Sequence, residues 1–232
     1  MMPKTTLILL PGQLCDAALW ESQRRALADI ADITIADLTR DDTIGAMAKR
    51  VLAAAPPRFA LCGLSLGGYV AFEIIRRAPD RVTHLGLINT SARADIAAQS
   101  DRRERSLRAA QIGAFKGVTP RFLPTIIHPD HATDQAIAQI VLEMTERVGR
   151  VAFEFQQHAA IDRGDSRALL STIHCPTLVI GGRDDRVTPP ALQEEIAAGI
   201  SGARLDILES CGHLAPIERA DAVNRLMRDW LR

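Results

Sequence analysis

No apolar run in the chain is long enough to cross a bilayer. The first, Thr5–Leu10, ends at Pro11-Gly12. It meets a turn and no small-residue cleavage site, so neither a membrane partner nor a secretory leader is expected. Close cysteine pairs are also missing. Cys15, Cys62, Cys175 and Cys211 are scattered, which argues against a disulfide framework or a zinc site and for reduced thiols in a cytoplasmic protein. Charge of one sign is not in excess: 28 Lys+Arg face 28 Asp+Glu, so no nucleic-acid partner is expected. There are no internal repeats. The 232 residues, 47% hydrophobic and 24% charged, suit one globular domain with room for an inserted subdomain.

Short strand-like runs alternate with helical stretches, the pattern of an α/β fold with a mostly parallel open sheet and helices on both faces. Strands are expected at 5–10, 33–38, 59–64, 85–89, 177–181 and 204–208. Helices are expected at 17–30, 44–55, 66–78, from Pro190, and at 217–231, several ended or opened by proline. Between about 91 and 170 no strand is evident. Helical patterns at 102–114, 131–148 and 151–160 are broken by Pro120, Pro124 and Pro129. The expected division is a core of residues 1–90 and 171–232, with a helical lid of 91–170 inserted between two strands. Ligands bind at the carboxyl ends of strands in such sheets, where this insertion would lie.

Gly63-Leu64-Ser65-Leu66-Gly67 falls between a strand and a helix. A serine hydroxyl is a poor nucleophile unless geometry and a base activate it, and a sharp strand-to-helix turn presents it for that purpose. The flanking positions then need glycine. Such a pentapeptide arises by chance in roughly 0.04 of chains of this composition, so Ser65 is the leading candidate nucleophile. The competing reading is a plain glycine-rich turn, or an anion site at the helix start.

Three further loops fall after strands. Ser210-Cys211-Gly212-His213 follows the last strand, which singles out His213 as a base among six histidines. His128-Pro129-Asp130-His131 reads as a polar turn lacking a further metal ligand. Gly181-Gly182-Arg183-Asp184-Asp185 offers two carboxylates, either of which could hold the second ring N–H of the histidine or merely stabilise the turn. The order serine, aspartate, histidine suits a serine elbow. The first oxyanion donor should be the backbone N–H of Leu66, and a second should come from Leu10-Pro11-Gly12-Gln13-Leu14, with Gln13 preferred. Each donor is worth roughly 3–4 kcal/mol in a transition state. The charged stretch Asp101–Arg108 is read as a solvated helix face of mixed sign rather than an anion-attracting one.

With these motifs in order, nearly the whole chain outside 91–170 resembles the α/β-hydrolase family, in its small esterase-like members. The resemblance implies an acid three residues after Gly182 and four before Pro189, which selects Asp185 over Asp184. It also implies a lid between the strands at 85–89 and 177–181, and Trp20 sits where many members carry tryptophan. Two departures are visible. Pro11-Gly12 replaces the frequent His-Gly, which leaves Gln13 and Leu14 both open as the donor, and the usual opening hairpin is missing.

The expected function is serine-hydrolase cleavage of a small carboxylic ester by Ser65, His213 and Asp185, with Gln13 and Leu66 at the oxyanion, no metal or cofactor, and a monomeric or homodimeric state. Alternatives are acyl transfer, thioester cleavage or carbon–carbon hydrolysis on the same three residues, or a non-catalytic binding protein of the same fold. A cysteine nucleophile is disfavoured because no cysteine occupies a strand-to-helix elbow.

Overall fold

The apolar runs form the centre of one sheet. The computed structural model describes residues 4–112 and 115–232. Strands β1 (Thr5–Leu10), β2 (Ala31–Ile35), β3 (Phe59–Leu64), β4 (Val82–Ile88), β5 (Thr177–Gly182) and β6 (Arg204–Leu208) lie in the order β2-β1-β3-β4-β5-β6. Every neighbouring pair is parallel. Parallel strands need crossovers, so helices cover both faces.

Alternate residues of each strand feed different halves of the core. Ile8, Leu10, Leu61, Leu85, Leu87 and Val179 pack on one face with α2 (Ile44–Ala54), α3 (Leu66–Arg77) and α9 (Pro190–Gly199). Leu7, Leu9, Cys62, Leu64, Leu178 and Ile180 pack on the other, with Leu19 and Trp20, with Leu27 at the end of α1 (Glu21–Ala26), and with Val223 and Met227 of α11 (Ala220–Trp230). The period of two in a strand produces this division, and each fully buried leucine contributes on the order of 2 kcal/mol.

Between β4 and β5 the described residues are helical: α4 (Ala97–Gln111), α5 (Leu123–Ile126), α6 (Pro129–Ala132), α7 (Gln135–Ile161) and α8 (Arg167–Leu170). Gly149, at φ 75°, kinks α7 between the two helical patterns seen in the sequence. No described helix is long and apolar enough to cross a membrane.

Several boundaries differ from expectation. The helix expected at 17–30 is a 3-10 turn, Ala17–Trp20, capped by Asp16, followed by the short α1. The strand expected at 33–38 is β2, two residues earlier. Ala31, Ile33 and Ile35 point inward there, while Leu38 enters the opposite half of the core past a turn that Asp37 closes onto Thr39 N. β4 starts at Val82, because Phe59 pairs with it across a bulge. α4 starts five residues early, with Gln99 Oε1 accepting from Ile96 N; the expected end at 113–114 lies outside the described residues. The last helix is broken into α10 (Ala215–Glu218) and α11, since Glu218 turns back toward the histidine loop.

Candidate active site

Ser65 sits between β3 and α3 at φ 54°, ψ −112°, a region that costs a non-glycine residue roughly 1–3 kcal/mol. Backbone crowding explains its neighbours. A Cβ on Gly63 would lie 2.3 Å from Gly67 O, and one on Gly67 would lie 2.3 Å from Leu10 O. The strained turn is pinned by Ser65 N donating to Ile88 O at 3.0 Å and by the Thr90 hydroxyl donating to Ser65 O at 2.8 Å.

Asp185 and His213 meet. His213 Nδ1 lies 2.8 Å from Asp185 Oδ2, and both residues are buried. The Thr188 hydroxyl donates to the same oxygen at 2.7 Å, and Val187 N and Thr188 N donate to Oδ1. Burial pushes this carboxyl up, but the His213 charge and these hydrogen bonds outweigh burial and hold its pKa below the ordinary value. With Nδ1 turned to Asp185, Nε2 is the ring nitrogen left to act as a base. Asp184 instead has a half-exposed side chain, 3.7 Å from His128 Nε2.

Ser65 and His213 line one cavity of about 510 Å³, together with Gln13, Leu14 and Leu66. Within the described residues the Ser65 hydroxyl and the His213 ring make no direct hydrogen bond. Such contacts are often long before substrate arrives. The Leu14 N–H, one of the two open donors, is occupied by Gln156 Oε1 at 2.9 Å. Neither the Gln13 N–H nor the Leu66 N–H has a hydrogen-bond partner within the described residues.

The supporting residues were not evident from motifs. Asn89, fully buried after β4, donates to Gly212 O and His213 O and accepts from Gly182 N, so one amide ties the serine side of the sheet to the acid and histidine loops. Glu218 accepts from Gly212 N, Leu214 N and His128 N and lies 3.1 Å from His131 Nδ1. His128 and His131 therefore belong to the scaffold of the histidine loop. The one available sequence signal was a carboxylate five residues after His213. Trp20 is fully buried in the core and is not part of the cavity wall.

The cysteines are free, and none sits on an elbow. Burial, with Asp16 adding to it against a hydrogen bond at Gly12, pushes the Cys15 thiol up to about 12. Cys62 and Cys211 are raised by burial as well. Such thiols are poor nucleophiles near neutral pH.

The described stretch between β4 and β5 supplies much of the cavity wall: Arg102 and Ser106 from α4, Val141 and Met144 from α7, and Ile126 from α5. Most of Asp101–Arg108 is exposed, as the solvated-face reading expects, and Arg102 and Arg103 also line the cavity.

This arrangement of sheet, elbow and facing loops defines a class, and comparison with known proteins agrees. Residues 8–226 match the model of the alpha/beta hydrolase family, and the chain belongs to that family. It is similar to the pimeloyl-[acyl-carrier protein] methyl ester esterase of Neisseria meningitidis, with 29% identity over 84% of this chain and 78% of the relative. It is 29% identical to the carbamate hydrolase RutD of Rhizobium rhizogenes, over 98% of this chain and 92% of that one. Among solved structures, the enol-lactonase from Burkholderia xenovorans LB400 superposes with a TM-score of 0.87 at 25% identity, over 99% and 92% of the two chains.

Proposed function

We propose that the chain is a serine hydrolase that cleaves a small carboxylic ester through an acyl-Ser65 intermediate. The observation that carries this reading is the 2.8 Å contact between His213 Nδ1 and the buried Asp185, in a cavity shared with the strained Ser65. His213 Nε2 takes the Ser65 proton as Oγ attacks the ester carbonyl. The N–H groups of Leu66 and Gln13 hold the tetrahedral oxyanion. Collapse breaks the carbon–oxygen bond, and His213 returns the proton to the departing alcohol. Water, deprotonated by the same ring, then releases the acid and regenerates Ser65. Asp185 fixes the tautomer and stabilises the imidazolium. These steps call for no metal or cofactor, and the helical stretch over the cavity is the lid. The reaction suits a cytoplasmic enzyme acting on a small molecule.

The names of the relatives, an esterase, a carbamate hydrolase and an enol-lactonase, agree in acyl hydrolysis and differ in the bond cut. An ester, thioester and lactone panel run on wild type and Ser65→Ala tests the reading. Turnover of esters by wild type and its loss in the variant are expected; thioester preference would move the assignment to thioesterase, and retained turnover in Ser65→Ala would refute the nucleophile.

A further inference from the structure

The cavity holding Ser65 has arginine on its wall. Arg93, Arg102, Arg103, Arg163 and Arg186 line it, and among the described residues no Asp or Glu does. Two of these guanidinium groups share one carboxylate behind the wall. Asp95 lies 2.7 Å from Arg103 Nε and 2.6 Å from Arg163 Nη1, and its side chain is 1% exposed. The remaining partners of that pair among the described residues are neutral: Gln157 Oε1 and, at 3.5 Å, Gln13 Oε1 for Arg103, and the carbonyls of Arg93 and Ala160 and the face of Tyr69 for Arg163. Among the described residues one positive charge is therefore left without an ion-pair partner in a largely buried setting, which is costly without an anion. Arg93 is neutralised by Glu195. Arg102 and Arg186, both exposed, have no ion-pair partner among the described residues. Asp185 is not part of the wall, and its oxygens are taken by His213, Thr188 and backbone N–H groups.

The location fits a substrate arm. Arg163 stacks on Tyr69 at 4.2 Å, and Tyr69 lies one helical turn beyond Ser65 on α3. Val118, Val141, Met144 and Leu214 make another part of the wall apolar. We infer that the substrate is an ester carrying a carboxylate, held by this arginine cluster while its apolar chain runs along the hydrophobic wall. Guanidinium groups suit carboxylates because their planar fork pairs with both oxygens. The inference rests on the hydrolase reading for turnover, but not for binding.

Two arms keep these apart. In the first, Ser65→Ala protein is titrated calorimetrically with adipate and with neutral adipamide. Adipate should bind about tenfold tighter, and the difference should shrink as salt rises. In the second, wild type, Arg102→Gln, Arg186→Gln and the double variant are assayed on ethyl hydrogen adipate against diethyl adipate, and on 4-acetoxybutanoate against its methyl ester. Wild type should favour at least one charged ester by about tenfold in kcat/KM, and the double variant should lose most of that preference. Equal binding of adipate and adipamide, or turnover of neutral esters with no charged preference, would overturn the inference and leave the hydrolase reading intact. Adipate binding with no turnover of any ester would uphold the anion site and overturn the hydrolase reading.

Discussion

Asp185 holds His213 with one carboxylate oxygen and the backbone of its own turn with the other. Oδ2 takes the imidazole at 2.8 Å, while Oδ1 takes Val187 N and Thr188 N at 2.7 and 3.0 Å. The carboxylate therefore has a fixed direction as well as a charge. Asp185→Asn should lower kcat by about 10³–10⁴-fold, because the amide admits the wrong ring tautomer. Asp184→Asn should change kcat by less than about threefold, since its side chain is half-exposed and its one ion pair among the described residues is with His128 at 3.7 Å. Steady-state kinetics on one ester decides; the reverse ranking would transfer the role to Asp184.

The depressed pKa of Asp185 also ties stability to acid pH. A carboxyl bound more weakly by protons in the folded state than in the unfolded chain stabilises the fold above its unfolded value, ordinarily 3.8. That contribution is lost as pH falls through the lower folded value. Urea midpoints measured from neutral to acid pH should fall more steeply for wild type than for Asp185→Asn below about pH 4. Parallel curves would mean that the carboxylate is not held as described.

Gln156 is fully buried and bridges two loops, accepting from Leu14 N at 2.9 Å and donating to Leu38 O at 3.2 Å. Leu14 adopts φ 56°, so this contact helps hold the strained loop that presents the Gln13 N–H. Gln156→Leu should cost about 1–3 kcal/mol for each orphaned group. Among molecules that still fold, kcat should drop about tenfold with little change in KM, as expected when a transition-state donor is misplaced. Gln156→Glu keeps the acceptor for Leu14 and should recover part of kcat. Equal effects on KM and kcat would reduce Gln156 to a purely structural role.

Cys15 lines the cavity, but its thiol is pushed up to about 12, by burial first. Iodoacetamide near neutral pH should leave ester turnover unchanged over the time in which a free surface thiol is fully alkylated. Loss of activity that tracks modification of Cys15 would reopen the cysteine-nucleophile reading.

What the sequence showed depended on how local each signal was. β3 and β5, buried on both faces, read as short apolar runs bounded by turns, and their limits agree with the structure to within a residue. β2 is an edge strand, where Ile30, Ile33, Ile35 and Leu38 allow more than one register; pairing of Thr5 with Ala31 resolves it only in three dimensions. Ser65 and His213 stood out because each sits in a glycine-marked loop after a strand; the loop after β5 offered Asp184 and Asp185 alike, and only the family resemblance selected Asp185. Gln156 and Asn89 left no such mark. They act on loops 142 and up to 124 residues away, and a buried amide has no local spacing that announces a long-range partner. The pairing of Arg103 with Arg163 on Asp95 left no mark for the same reason, since its members lie up to 68 residues apart in the chain.

The most direct test of Ser65 as nucleophile is intact-mass and peptide mapping after treatment with a fluorophosphonate. One adduct is expected, on the peptide containing Ser65, appearing in step with loss of ester turnover and absent from Ser65→Ala. An adduct on another residue, or turnover that survives complete labelling of Ser65, would contradict it.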